Sequence, residues 1–183
     1  MREYRARAIA IGLVSIALLY LFGCILDPKE DVVDPGGGVE YGDLSKKEHC
    51  IENLQIAYDR KDINAYKDLL RSDRYIWYNQ TEDQAELGNF MDYDQDVEGT
   101  EYLFDNVTTM DMDLTPHTWD EVDSLGSTEC PGCWQISVSY KFDVMMKSMD
   151  HYAGDDIVDF IVQPFTYGSD TKYKIIYAQD RKI

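Results

Sequence analysis

The chain is short of positive charge. It has 17 lysines and arginines against 35 aspartates and glutamates, which gives a net charge of −18 over 183 residues. So acidic a surface repels nucleic acid and anionic lipid headgroups through its long-range field. We therefore predict no nucleic-acid partner, and we expect any membrane contact to come from an attached acyl chain rather than from a basic patch.

Long apolar runs are also lacking, with one exception at the N-terminus. Ala8 to Phe22 is apolar apart from Ser15, and three arginines precede it. This run is short for a membrane-spanning helix, which needs about 20 residues, and a basic start followed by such a run is typical of an export signal. The stretch predicts that the rest of the chain works outside the cytoplasm.

The signal ends in Leu21-Phe22-Gly23-Cys24, which resembles the lipobox of bacterial lipoproteins. In that family, a cysteine like Cys24 is acylated, for example with palmitate, and becomes the mature N-terminus after cleavage behind a residue like Gly23. An uncleaved anchor and an ordinary secreted product are the alternatives. Because Ile25 stands where an aspartate would favour inner-membrane retention, the resemblance favours the periplasmic face of the outer membrane.

We divide the chain into three parts: signal peptide 1–23, lipidated Cys24 with an acidic linker over 24–43, and one domain over 44–183. The linker is rich in proline, glycine and acids and has no apolar periodicity. As a flexible coil it would hold the domain on the order of 25 Å from the lipid. Loss of Glu3 and the three leader arginines brings the net charge of the mature chain to about −20.

Two helices are predicted at the start of the domain. Ser45 and Glu48 fit a capping box for a helix that runs to about Arg60, and Asp62 fits the N-cap of a second helix that ends near Arg71. The apolar residues of both recur at three- and four-residue spacing, which places them on one face of each helix. These residues are Cys50, Ile51, Leu54, Ala57 and Tyr58 in the first helix and Ile63, Tyr66, Leu69 and Leu70 in the second.

Strands dominate the rest of the domain. Trp134 to Lys147 alternates apolar and polar residues with a strict period of two and predicts a long strand. Further strands are predicted over 75–78, 107–114, 157–165 and 172–179, with a hairpin loop at Tyr167 to Asp170. Residues 79–106 are polar and irregular, with a short helix at Thr100 to Phe104 that we expect to pack across the sheet edge, and Trp119 falls in a predicted loop.

This order of elements, with Glu52 to Leu70 leading into Tyr75-Ile76-Trp77-Tyr78, resembles the NTF2-like superfamily and its SnoaL-like members. The resemblance implies an α+β cone in which an N-terminal helical hairpin packs on a curled antiparallel sheet, with a pocket at the open end. Enzymes of the superfamily use pocket carboxylates with tyrosine or histidine. Here His49, His117 and His151 fall among charges or in loops, and Tyr140 fits a core position, so we assign no catalytic residue and predict no cofactor.

Cys130-Pro131-Gly132-Cys133 predicts a type II turn that brings the two thiols together. Outside the cytoplasm a structural disulfide is the favoured interpretation. Redox catalysis is less favoured because the pair precedes a strand rather than a helix, and zinc would need two further ligands that no spacing supplies. Cys50 fits a buried apolar thiol, although its pairing with Cys130 or Cys133 stays open.

Asp92, Asp94 and Asp96 alternate like the first ligands of a calcium loop. Val97 stands where the loop needs glycine, and Leu103 where it needs a bidentate glutamate. We therefore favour a solvated acidic loop, with weak calcium binding as the alternative, and predict no other metal site.

The sequence does not establish an activity. The leading hypothesis is a non-catalytic, lipid-anchored envelope protein that binds a small hydrophobic ligand or a protein partner, or that forms a homodimer. The alternative is a pocket enzyme of the SnoaL or ketosteroid isomerase type, acting as an isomerase, dehydratase or hydrolase. A titratable group with a shifted pKa inside an open pocket would favour the enzyme, whereas a pocket filled by aromatic side chains would not.

Overall fold

The computed structural model describes residues 40–79, 89–126 and 128–181. The signal peptide, the Leu21 to Cys24 motif and the linker up to residue 39 lie outside the described residues. No helix among those described is long and apolar enough to cross a membrane. In chain order the elements are α1 (Glu48–Arg60), α2 (Ile63–Leu69), β1 (Ile76–Tyr78), β2 (Phe90–Asp92), α3 (Tyr93–Asn106), β3 (Val107–Leu125), β4 (Thr128–Met146), β5 (His151–Tyr167) and β6 (Asp170–Arg181).

The strands form one open sheet in the order β2-β1-β6-β5-β4-β3. The four long strands pair antiparallel through successive hairpins, as predicted. The sheet is nevertheless mixed, because β1 runs parallel to β6. These two strands lie at opposite ends of the domain sequence, so no tight turn forces them antiparallel, and the long connection that a parallel pair needs is present.

Helix α1 starts later than predicted. Lys47 is its N-cap residue and makes no side-chain capping bond, so the capping box predicted at Ser45 is wrong. The reason is local: the Ser45 backbone N–H donates to the Asp43 carboxylate at 3.0 Å, which holds Ser45 in the turn before the helix. The predicted apolar face is correct, with Cys50, Ile51, Leu54 and Ala57 buried.

The residues just before α1 are packed. Asn53 of α1 holds Gly42 through two hydrogen bonds, of 2.7 Å from the Gly42 N–H and 2.8 Å to its carbonyl. A Cβ atom on Gly42 would lie 2.6 Å from the His49 ring, so only glycine fits this approach. The packed residues therefore include Tyr41 and Gly42, which the sequence placed at the end of the linker.

Asp62 caps α2 as predicted. Its carboxylate accepts the backbone N–H groups of Asn64 and Ala65 at 3.1 and 3.0 Å. It also accepts the Tyr41 hydroxyl at 3.0 Å, which ties the segment before α1 to the start of α2. The two helices form the predicted hairpin and bury Tyr66 and Leu69.

Helix α3 occupies much of the segment that the sequence left irregular. It is far longer than the short helix predicted at Thr100 to Phe104. Asp92 and Gln95 cap it reciprocally: the Gln95 N–H donates to Asp92 at 3.0 Å and the Asp92 N–H donates to Gln95 at 3.1 Å. A reciprocal cap of this kind fixes the start of a helix. Residues 93–101 are consequently helical, Asp92 caps the helix at the end of β2, and the predicted acidic loop is wrong.

Strand β3 also exceeds its prediction, since it continues past Leu114 through the expected loop at Trp119 to Leu125. It is one of the two edge strands of the described sheet. An edge strand tolerates Pro116 because the missing N–H can face solvent. The pairing with β4 shifts register between Pro116 and Trp119, so the strand absorbs the proline as an irregularity.

The sheet has an apolar inner face and a smaller apolar cluster on the outer face. The inner residues of β4, including Ile136, Val138, Tyr140 and Val144, belong to the main core together with the helices. This confirms the predicted period of two. On the other face Cys130, Cys133, Ile161 and Ile176 form a second buried cluster.

Candidate functional site

A cavity of about 120 Å³ lies between the three helices and the inner face of the sheet. An engineered apolar cavity of about 150 Å³ holds benzene, so the space suits a molecule the size of one ring. Most of the wall is aliphatic or aromatic. The aromatic residues are Tyr58, Tyr66, Tyr75, Trp77, Tyr140, Phe142 and Phe160, and the other apolar ones are Leu54, Leu70, Met91, Leu103, Met112, Leu114, Val144, Val158 and Ile175.

The charged groups in this wall are all of one sign. Asp96 comes from α3 and Asp180 from β6, and the described lining residues include no lysine, arginine or histidine. Both aspartates are buried, with 4% and 8% of their surface exposed. A buried carboxylate is costly unless hydrogen bonds or an opposite charge compensate it, so the partners of each group matter.

Asp96 is held by tyrosines. The Tyr66 hydroxyl donates to its carboxylate at 2.5 Å, and Tyr75 also hydrogen-bonds to it. Burial raises the pKa of Asp96 to about 6, while the two tyrosine hydrogen bonds act in the opposite direction. Burial together with the Asp96 charge raises the pKa of both Tyr66 and Tyr75 well above the usual value.

The chain folds locally so that these groups meet. Tyr66 lies on the buried side of α2, and Asp96 lies on the buried side of α3 with Thr100 and Leu103, which follow it at helical spacing. Tyr58 of α1 and Tyr66 pack edge to face, with ring centroids 5.7 Å apart. Each helix therefore contributes at least one polar side chain to the cavity, and α3 contributes both Asp96 and Thr100.

A second polar group faces the cavity from the sheet. Tyr140 of β4 is 7% exposed, and burial followed by the nearby Asp180 and Asp156 charges raises the pKa of its hydroxyl. This hydroxyl lies within hydrogen-bonding reach of the Asp180 carboxylate, but no hydrogen bond of good geometry to it is found within the described residues. Burial, followed by charges that include Asp96 and Asp180, raises the pKa of Tyr58, which also lines the cavity.

The predicted disulfide and the free cysteine lie outside the cavity wall. Cys130 and Cys133 are joined by a disulfide with Cα atoms 5.5 Å apart, and Gly132 between them has the positive φ of +71° that a type II turn needs. This turn packs on the outer face of the sheet, away from the cavity. Cys50 is a free thiol buried in the core, and burial raises its pKa to about 12.

The calcium candidates are separated by the helix. Asp92 is the N-cap of α3, Asp94 is exposed in its first turn and Asp96 is buried against the tyrosines. In the described ranges no group of three or more histidine, cysteine, aspartate or glutamate side chains could hold a metal ion. Only Asp96 of the three acids reaches the cavity.

None of the histidines contributes to the described cavity wall. His117 contacts the Ser139 hydroxyl at 2.8 Å, and His151 contacts the Asp143 carboxylate at 2.9 Å, in both cases on exposed surface. His49 packs beside Gly42 at the start of α1. The candidate site instead contains Asp96, which the sequence suggested only as a weak calcium ligand.

A second, more open space of about 270 Å³ lies beside α1 and α2, lined by residues that include Tyr41, Asp43, Asn53, Asp68 and Lys172. Its polar groups are already engaged by the chain itself, as in the bonds of Asn53 to Gly42. The cavity with Asp96 is the better candidate site because a buried, ionisable group faces it.

Comparison with known proteins gives no family. No family model and no curated protein matches the chain. Solved structures do match over most of its length. A ketosteroid isomerase-like protein from Erwinia carotovora atroseptica shares 12% identity, with a TM-score of 0.54, over 76% of this chain and 95% of the other.

Two further structures are similar. A protein of cystatin-like fold from Caulobacter vibrioides matches with 11% identity and a TM-score of 0.54, over 74% of this chain and 86% of the other. The Kfla4162 protein from Kribbella flavida matches with 8% identity and a TM-score of 0.55, over 74% and 86%. At such low identity these likenesses establish the fold alone. The domain has the predicted α+β, NTF2-like fold, with a few helices on a six-stranded sheet that does not close.

Proposed function

We propose that the domain binds a small, mainly apolar molecule in the cavity between the helices and the sheet. The observation that carries the proposal is the combination of a ring-sized apolar space with a buried carboxylate that faces it. Ligand pockets are typically apolar with a few fixed polar groups that orient the ligand. Here the Asp96, Tyr66 and Tyr75 cluster and the Tyr140 hydroxyl supply those groups.

Binding can be tested by filling the cavity. Met112 lines it from the middle of β3, whereas Thr115 on the same strand is exposed. We expect Met112→Trp to abolish 1:1 binding of a small apolar probe such as benzyl alcohol, measured by native mass spectrometry of the intact chain in mild detergent. Thr115→Trp places the same bulky side chain outside the cavity and should leave binding unchanged. Equal binding by both variants would contradict the proposed site, and the same spectra report any homodimer.

A second candidate function is proton transfer on the bound molecule. One observation favours it: the pKa of Asp96 is raised to about 6, close to the pH at which a general base works well.

The proton-transfer candidate predicts that the protein speeds α-proton exchange of a small ketone such as cyclohexanone in D₂O, followed by NMR. Asp96→Asn should remove the acceleration, and Asp94→Asn, an equal charge change on the exposed face of α3, should keep it. Exchange at the buffer rate with the unaltered protein would leave only the binding function.

We further propose that the chain is exported and anchored through lipid on Cys24. The basic start, the apolar run and the Leu21 to Cys24 motif support this. The parent chain should incorporate labelled palmitate, and the Cys24→Ala variant should not. Labelling that persists in the variant would contradict lipidation at this residue.

A further inference from the structure

We infer that the molecule bound in the cavity is a small organic cation, an amine that carries one apolar ring. This inference rests on the proposed binding function and adds the charge of the ligand. Asp96, Asp180 and the Tyr140 hydroxyl are the groups that assign it.

The first argument is charge. Asp96 and Asp180 both border a mainly apolar space whose described lining includes no basic side chain. The hydrogen bonds to Asp96 come from the neutral hydroxyls of Tyr66 and Tyr75. These bonds stabilise the carboxylate but leave its charge in place. An ammonium group would compensate that charge, a neutral ligand would not, and an anionic ligand would add repulsion in a region of low dielectric.

The second argument is the aromatic wall. Seven aromatic rings line the cavity, and an aromatic ring attracts a cation through its quadrupole, most strongly where water is excluded. Tyr58, Tyr66 and Phe104 pack edge to face with one another, which holds two of the lining rings in fixed positions. Aromatic surroundings combined with carboxylates suit an ammonium ion better than they suit a carbonyl or carboxylate.

The third argument is the Tyr140 hydroxyl. It is buried, borders the cavity and lies within hydrogen-bonding reach of the Asp180 carboxylate, although no hydrogen bond of good geometry to it is found within the described residues. An incompletely satisfied buried polar group costs free energy, and a ligand that completes its hydrogen bonding offsets that cost. Its oxygen can accept an N–H from a bound ammonium, while the nearby Asp180 carboxylate adds favourable charge. The group is independent of the Asp96 cluster and favours the same ligand.

The net charge of the whole chain also favours a cationic ligand. A net charge of −18 raises the local concentration of cations and repels anions at low ionic strength. This attraction is not specific to the cavity. The test must therefore distinguish it from the attraction by Asp96 and Asp180 inside the cavity.

Three probes of nearly equal shape make the test: benzylamine, benzyl alcohol and benzoate, titrated calorimetrically into the intact chain in mild detergent at pH 7.5 and 0.3 M NaCl. We expect benzylamine to bind at least tenfold more tightly than benzyl alcohol, with benzoate weakest. Asp96→Asn and Asp180→Asn should each reduce the preference for the amine severalfold. The matched control Asp94→Asn should keep it, since it changes the surface field but not the cavity.

The outcomes separate the two proposals. If benzyl alcohol binds as tightly as benzylamine, or benzoate binds best, the cavity is a ligand site but the cationic ligand is refuted. If none of the three probes binds, the binding function fails as well. A preference for the amine that Asp94→Asn removes as fully as Asp96→Asn would assign it to the surface field and overturn the inference. Because the comparison of probes needs only the unaltered chain, a variant that fails to fold does not decide the result.

Discussion

Replacement of Asp96 by asparagine should change how stability depends on pH. Burial raises the pKa of this carboxyl from 3.8 to about 6 in the folded chain. The folded state therefore holds the proton more tightly than the unfolded state does. As the pH rises through the folded pKa, the buried group ionises and its contribution to stability is lost; as the pH falls towards 4, the contribution returns.

The size of this effect follows from the shift. A pKa difference of about two units, at about 1.4 kcal/mol each, is worth about 3 kcal/mol over the whole titration. Because pH 4.5 still lies above the unfolded pKa of 3.8, about 2 kcal/mol of this is gained between pH 7.5 and pH 4.5. Asparagine does not titrate. The unfolding free energy of the parent chain minus that of Asp96→Asn should therefore increase by about 2 kcal/mol when the pH falls from 7.5 to 4.5.

The assay is urea unfolding followed by tryptophan fluorescence, with both proteins measured at several pH values. Taking the difference between the two proteins removes the titration of the other acidic residues. Asp94→Asn is the control, because its carboxylate is exposed, and its difference from the parent should stay nearly constant. A flat difference for Asp96→Asn would refute the argument that burial raises the pKa of this group.

Three further predictions concern stability. Asp62→Ala removes the cap that accepts the Asn64 and Ala65 N–H groups and should cost about 1 kcal/mol in urea unfolding; a loss no greater than that of an exposed control would contradict the cap. Serine at both Cys130 and Cys133 opens a loop with sequence separation 3 and should cost about 2 kcal/mol by loop entropy, with reductant destabilising the parent chain but not the variant. Ile136→Ala leaves a hole at a fully buried position and should lower stability by about 2–5 kcal/mol, whereas an unchanged melting temperature would show that this part of the core is not packed as described.

The long strands were predictable because their two faces differ chemically. From Trp134 to Met146 every second side chain enters the core, and the alternation is visible without any knowledge of its neighbours. The cap of α2 was predictable for a similar reason, since Asp62 acts on residues two and three positions ahead. Both signals are local in sequence.

The sequence-based predictions were wrong where contacts between distant residues, or competing local hydrogen bonds, determine the structure. Ser45 and Glu48 fit a capping box, but the Ser45 N–H donates its hydrogen bond to the Asp43 carboxylate instead. The parallel pairing of β1 with β6 joins the two ends of the domain, and no local pattern encodes it. For α3 a local signal does exist, because Asp92 and Gln95 have the spacing of a capping box. The alternating acids of the same residues also fit a loop, and that interpretation is wrong.

The candidate site was predictable only in part. Tyr58 and Tyr66 could be assigned to buried helix faces from their spacing, but nothing in the spacing shows that both faces meet Asp96. Once α3 is recognised, Asp96 stands out as an acid on the face that carries Thr100 and Leu103. The shift of its pKa requires the packed structure, because burial causes it.

The most direct test of the central claim is to map where a small molecule binds. Methyl NMR spectra of the protein titrated with benzyl alcohol would report both faces of the sheet at once. We expect shifts at Leu103, Met112 and Val144, which border the cavity, and none at Ile161 and Ile176, which are buried with the disulfide on the other face. Shifts confined to the outer cluster, or no shifts at all, would contradict a ligand site between the helices and the sheet.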